Sequence, residues 1–211
     1  MNGQEIIKAM NWRFATQVFD STKKVSEEDL KTILEAARLA PSSFGIEAWK
    51  FLVIENPELR GKIGEAAWGQ PKVTQASNLI VIARRTDARE NITNELIERS
   101  SKTQGVAPEA LNGLKEMVSG AIARRSDAEL DAWVRNQAYI ALGVMIETAS
   151  LLGIDNGPME GFDPAKVDEI LGLKEKNLTS TTLLALGYRA EGVELRPKVR
   201  RAFDEVVEFI K

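Results

Sequence analysis

Hydrophobic and polar positions follow two periods along this chain. From Ser26 onward Leu30, Ile33, Leu34 and Ala37 recur at three- and four-residue spacing, which predicts a helix with one apolar face. Ser26 with Asp29 forms a capping box at its start, and Pro41 stops it after Ala40. A shorter helix is predicted over about Gln4 to Asn11, followed by an extended Trp12 to Asp20 and a polar turn at Ser21 to Lys24. Unbroken apolar runs at Trp49 to Ile54, Asn78 to Ala83 and Thr179 to Tyr188 predict strands, the last of them central. Between the first two lie a helical hairpin from Pro57 to Ala67 and a turn at Gly69-Gln70-Pro71.

The stretch Arg84 to Gln104 is the most charged of the chain and leads to a helix with Pro108 at its first position. Residues from about 88 to 125 therefore read as a solvated helical excursion. A second capping box, Ser126 with Glu129, opens a long helix. Leu130, Trp133, Val134 and Gln137 line one side of it, and from Tyr139 to Leu152 it is apolar nearly all round. Such a helix is either the core helix of the domain or one that a second subunit covers. Gly157-Pro158-Met159-Glu160-Gly161-Phe162 reads as a rigid loop that can present the Glu160 and Gly161 amides to a ligand, or as a plain connection. A short helix from Pro164 to Leu171 ends at Gly172, and the tail from Ala202 to Lys211 fits an amphipathic helix or an extended arm.

At 211 residues the chain is long enough for a single core, and one domain spanning 1–211 is the default reading. The net charge of −3 gives no general attraction to nucleic acid or anionic lipid. No run reaches bilayer length, Met1 to Met10 lacks the apolar core of a signal peptide, and there is no cysteine, so a cytoplasmic location is expected. The absence of histidine removes Ser/His triads, His-ligated metals and the commonest acid and base at neutral pH. Catalysis on such a chain calls for a cofactor that carries the hard chemistry.

Cations recur where elements end: Arg13, Lys72, and the pair Lys198 and Arg200, whose i, i+2 spacing puts both on one face of an extended segment, as a phosphate dianion requires. Arg13 to Asp20, Ala40-Pro41-Ser42-Ser43 with Trp49 six residues on, Gln70-Pro71 with Ala76-Ser77, Trp133 to Gln137, Gly153 with Pro158 to Phe162, Gly172 to Lys176, Gly187-Tyr188 and Pro197 to Arg200 follow one another in an order. In that order and spacing the chain resembles the oxygen-insensitive nitroreductase family.

The resemblance implies an α+β, nitroreductase-like fold: a central, mostly antiparallel sheet with helices on both faces, in an intertwined homodimer that binds FMN at the subunit interface. It implies that Arg13, Lys198 and Arg200 hold the phosphate, and that Pro158, Met159, Glu160 and Gly161 run beside the flavin ring with the Glu160 or Gly161 amide bonded to N5 or O4. Gln70 and Gln137 belong to the implied cofactor site. Lys72 would approach the pyrimidine edge, and Pro41, Ser42, Ser43 and Gly45 would reach the partner's flavin. Ala15 and Gln17 stand where relatives carry a serine and a lysine, and Val118-Ser119 where many place aromatics. The implied reaction is ping-pong: NADH or NADPH reduces the flavin, then a nitroaromatic, quinone or similar small-molecule acceptor takes the electrons. No residue is expected to act as a side-chain acid or base, and no metal is expected. The alternatives are a same-fold reductase with a narrower acceptor, such as an enone or pteridine, a flavin-binding protein without turnover, or a plain helical interaction domain.

Overall fold

The computed structural model describes residues 2–211. In chain order its helices are α1 (Gly3–Trp12), α2 (Glu27–Arg38), α3 (Pro57–Ala66), α4 (Pro71–Gln75), α5 (Ile92–Gln104), α6 (Asn112–Ala123), α7 (Asp127–Leu151), α8 (Pro164–Leu171) and α9 (Phe203–Val206). The strands are β1 (Trp49–Ile54), β2 (Asn78–Arg85), β3 (Asp155–Met159) and β4 (Leu178–Gly187), antiparallel throughout in the order β1-β2-β4-β3.

Alternation along the two central strands divides the core. Val81 pairs with Leu183 and Leu79 with Ala185, and all four pack with Ile63 of α3, Val73 of α4 and Val167 of α8. The intervening Ile80, Ile82, Leu184 and Leu186 pack on the other face, against Ile33 and Ala37 of α2 and Ala138 and Met145 of α7. Both faces are therefore covered, which is why the central runs read as continuously apolar. A third cluster, Ile46 and Ala48 with Ile92, Leu96, Val118, Ile122, Leu130 and Val134, roots the helical excursion against α7.

The two predicted capping boxes differ by one methylene. At α7 the Glu129 carboxylate reaches the Ser126 amide at 2.8 Å, and Ser126 Oγ accepts from the Glu129 amide, closing the box. At α2 Ser26 Oγ accepts from the Asp29 amide at 3.0 Å, but the shorter Asp29 carboxylate takes the Ser26 hydroxyl instead of the backbone amide.

The structure corrects two expectations. Gly157 to Met159 is not loop: it belongs to β3, with Pro158 opposite Leu184. Proline is tolerated because β3 is an edge strand, where a missing N–H breaks no ladder on the outer side. Only Glu160 to Phe162 lies beyond the strand. Of the pair Val118-Ser119, aligned with positions where many relatives place aromatics, Val118 is fully buried in the third cluster, while Ser119 and Met117 on either side of it are exposed.

From Glu191 to Ala202 the tail has no regular structure; it then forms α9 and ends extended. Val199, Phe203, Phe209 and Ile210 are exposed along it. Leu184, fully buried at the centre of the sheet, offers a simple test of the packing. Leu184→Ala should lower the urea stability by about 2 to 5 kcal/mol, whereas Met117→Ala, which empties no cavity, should change it by less than about 0.5 kcal/mol.

Candidate functional site

The site is organised by the outer edge of β3. Ala15 forms a parallel bridge with Asn156, the Thr16 amide donates to the Asn156 carbonyl at 3.1 Å, and Thr16 Oγ1 donates to Asp155 at 3.1 Å. The segment after α1 thus runs along the strand. Its closest approach is at Gly157, where a Cβ would lie 2.7 Å from the Thr16 carbonyl oxygen, so only glycine fits.

At one end of this edge the cations gather. Arg13 caps the C-terminus of α1, and Lys198 reaches the same helix end, donating to the carbonyls of Met10 and, at 2.9 Å, of Asn11. Burial and then the charge of Arg200 lower the Arg13 pKa. Burial, followed by Arg13, Arg200 and Arg189, lowers that of Lys198. Arg13 is therefore brought within the field of the distant pair Lys198 and Arg200, with no carboxylate among the described residues paired to any of the three. Arg189, which the sequence reading missed, adds a fourth charge. Its guanidinium lies 4.6 Å over the Trp12 ring and pairs with the buried Asp155, with Nε at 2.8 Å. Its Nη2 lies 2.5 Å from the same carboxylate but is not aligned to hydrogen-bond.

At the other end stands a wall formed by Met159, Glu160 and Gly161. Thr182 Oγ1 donates to the Met159 carbonyl at 2.9 Å, Gln70 Nε2 to the Gly161 carbonyl at 2.6 Å, and the Phe162 amide to the Glu160 carbonyl at 2.9 Å. All three carbonyls are taken. The amides of Glu160 and Gly161 donate to no acceptor among the described residues. The Glu160 carboxylate is engaged as well, accepting from the Tyr139 hydroxyl of α7. Gly161 is crowded, since a Cβ there would sit 3.2 Å from the Trp68 ring and 3.3 Å from Gln70 Nε2. Trp68 itself is 71% exposed at a φ of 56°, a conformation that costs a bulky residue free energy. Neither Trp68 nor Tyr139 carried a signal in the sequence.

Lys72, on α4, is buried beside β3, its Cδ 3.5 Å from the place of a Gly157 Cβ. It has no hydrogen-bond or ion-pair partner among the described residues, and desolvation lowers its pKa. Gln17 is exposed, and its side-chain amide donates to the Ala15 carbonyl at 2.9 Å.

A third group lies apart. Buried Gln137 accepts from the Ser43 amide at 2.8 Å and donates to the Trp133 carbonyl at 2.8 Å. Ser42 Oγ accepts from the Glu47 amide at 3.0 Å, and the Gly45 carbonyl accepts from Arg99 at 2.8 Å, so the turn from exposed Pro41 to Gly45 is pinned to α5 and α7. Gln137 and Tyr139 are two residues apart on one helix, about 200° around its axis. The Ser43 group and the Glu160 wall thus lie on opposite sides of α7.

Residues 10–188 match the model of the nitroreductase family. The chain belongs to that family. A Staphylococcus haemolyticus protein provisionally named an NAD(P)H nitroreductase is 39% identical to it over 221 residues, covering 98% of each chain. Two crystal structures show the same fold at lower identity. One is a provisionally assigned nitroreductase, ydfN of Bacillus subtilis, with a TM-score of 0.88 at 20% identity over 99% of this chain and 100% of that one. The other is a provisionally assigned nitroreductase of Exiguobacterium sibiricum in complex with FMN, with a TM-score of 0.82 at 22% identity over 99% and 97%. The matched residues end at Tyr188, so Arg189, Lys198 and Arg200 lie outside the family model. No helix among the described residues is long and apolar enough to cross a membrane.

The state of Lys72 sets a pH test. Its folded pKa is lowered, so below that pKa the native state holds a charge that the unfolded chain keeps in water, and stability rises with pH from there to the ordinary value of 10.5. Lys72→Met should therefore raise the melting temperature of the cofactor-free protein near neutral pH, and the gain should shrink as pH approaches 10.5. Paired thermal melts read the difference.

Proposed function

We propose that this chain is an NAD(P)H-dependent FMN oxidoreductase, and that the cation corner, the edge of β3 and the Glu160–Gly161 wall form one FMN site. The observation that carries the reading is the pair of amides at Glu160 and Gly161, free to donate in a wall whose carbonyls and carboxylate are already occupied. The rest fits the same ligand. Arg13, Lys198 and Arg200, none paired with a carboxylate among the described residues, supply positive charge for a phosphate dianion, which relieves their mutual repulsion. Lys72, a largely buried residue whose ammonium has no hydrogen-bond or ion-pair partner among the described residues, fits the edge of the ring that becomes negative on reduction. Bound there, FMN supplies the redox chemistry, taking reducing equivalents from NADH or NADPH and passing them to a nitroaromatic, quinone or similar acceptor.

What the chain's own residues do follows from their placement. The cation corner binds and orients one end of the ligand, the wall donates hydrogen bonds along the other, and Gly157 lets the two share one strand edge. No side-chain acid or base is needed, as suits a chain without histidine. Gln17 leaves one fewer cation near the ring, so Lys72 is the chief positive charge there.

The active form is proposed to be a homodimer. The Ser42–Gly45 turn lies on the far side of α7 from the wall, so these two parts close on one ligand only if a second copy supplies the turn. Along α7 a stripe of Ala132, Asn136, Ile140 and Gly143 is exposed, and a Cβ at Gly143 would meet nothing within 4 Å. The apolar tail, exposed at Val199, Phe203, Phe209 and Ile210, extends over the partner in the same reading. One FMN-binding unit over 1–211 and a cytoplasmic location complete it.

Reconstitution with FMN tests the function. A yellow dimer is expected by sedimentation, and its flavin absorption should bleach on anaerobic addition of NADH or NADPH and return with a quinone or nitroaromatic acceptor. Failure to take up FMN would overturn the site, and uptake without bleaching would leave a binder rather than a reductase. Arg200→Ala should weaken FMN binding by about 1 to 3 kcal/mol through loss of a charge-assisted phosphate contact; fluorescence titration measures it.

A further inference from the structure

We propose that Tyr139 is a positioning residue: by holding the Glu160 carboxylate against α7, it fixes the main chain on which the Glu160 and Gly161 amides are presented. The role of those amides rests on the FMN site proposed above, but the hold on the backbone does not.

Three features support it. The wall is fastened at Met159 by Thr182, on β4, and at Gly161 by Gln70, just before α4. Between those points the exposed Glu160 carries the remaining side chain, and it is fastened by the Tyr139 hydroxyl alone among the described residues. The phenol keeps the proton it donates, because burial and then Glu160 push its pKa up to about 12. Behind it on α7, at four-residue spacing, stand Arg135 and Asp131. Asp131 pairs with Arg135 at 2.7 Å and with Arg84 of β2 at 2.7 Å, and Arg135 feels the charge of Glu160. Arg84, Asp131 and Arg135 form a salt-bridged row that ties this part of α7 to the sheet, and Tyr139 joins the wall to the same helix. The carboxylate is held by the Tyr139 hydroxyl, and it is the backbone that faces the ligand. A carboxylate so held works by its oxygen atoms as acceptors, so Gln, which keeps one such oxygen, should substitute in part for Glu where Ala does not.

Hydrogen exchange of the full-length, cofactor-free protein tests this without any flavin. In Tyr139→Phe and in Glu160→Ala, peptides covering 156–163 should exchange roughly tenfold faster, the scale expected for losing a hydrogen bond to a charged group. Peptides of β4 should be unchanged, and Glu160→Gln, which keeps a weaker neutral acceptor, should exchange more slowly than Glu160→Ala. With FMN as ligand, the dissociation constant should rise in the same order, least for Glu160→Gln. Native exchange across 156–163 in Tyr139→Phe would overturn the proposal, as would faster exchange spread evenly over the sheet, which marks general loosening. If the native chain takes up no FMN, the functional reading falls while the exchange result still decides the role of Tyr139.

Discussion

The Thr16 carbonyl occupies the space that a side chain at position 157 would fill, and the arrangement of the site depends on that contact. Because Gly157 has no Cβ, the segment leaving α1 lies flat along the edge of β3, with Ala15 bridged to Asn156 and Thr16 bonded to Asp155. One backbone line then carries Arg13 at one end and meets the Glu160–Gly161 wall at the other. The same contact covers a strand edge that would otherwise expose unpaired groups. Asp155, at the head of that strand, gathers Thr16 and Arg189 and so joins α1, β3 and the end of β4.

Much of this was legible in the sequence, because the physics behind it is local. The cap at Ser126, the stop at Gly172 and the apolar runs of β1, β2 and β4 depend on neighbours within a few residues, and the structure places each close to its predicted position. β3 was not legible. Gly157 and Pro158 are turn residues in isolation, and what makes them strand is the edge position beside β4, a property of the sheet as a whole. Val118 went astray for the opposite reason: alignment placed it by order along the chain, while the packing of α6 on Ile46 and Val134 turned it inward.

The site was legible as residue types but not as partnerships. The spacing of Lys198 and Arg200 suggested an anion, yet only the fold brings them to Arg13 across the whole length of the chain. Arg189 and Tyr139 gave no signal because their roles are set by Asp155, Trp12 and Glu160, none of which is a sequence neighbour. Gln137, by contrast, was singled out by resemblance, and the structure gives it a plain mechanical task in holding the Ser43 turn.

The donors at the wall belong to the main chain, and a main-chain N–H is present whatever residue the gene encodes there, proline excepted. A side chain beside the wall, such as exposed Trp68, is under no such obligation. A substitution here thus changes the shape of the surface while the two donors stay where the main chain puts them.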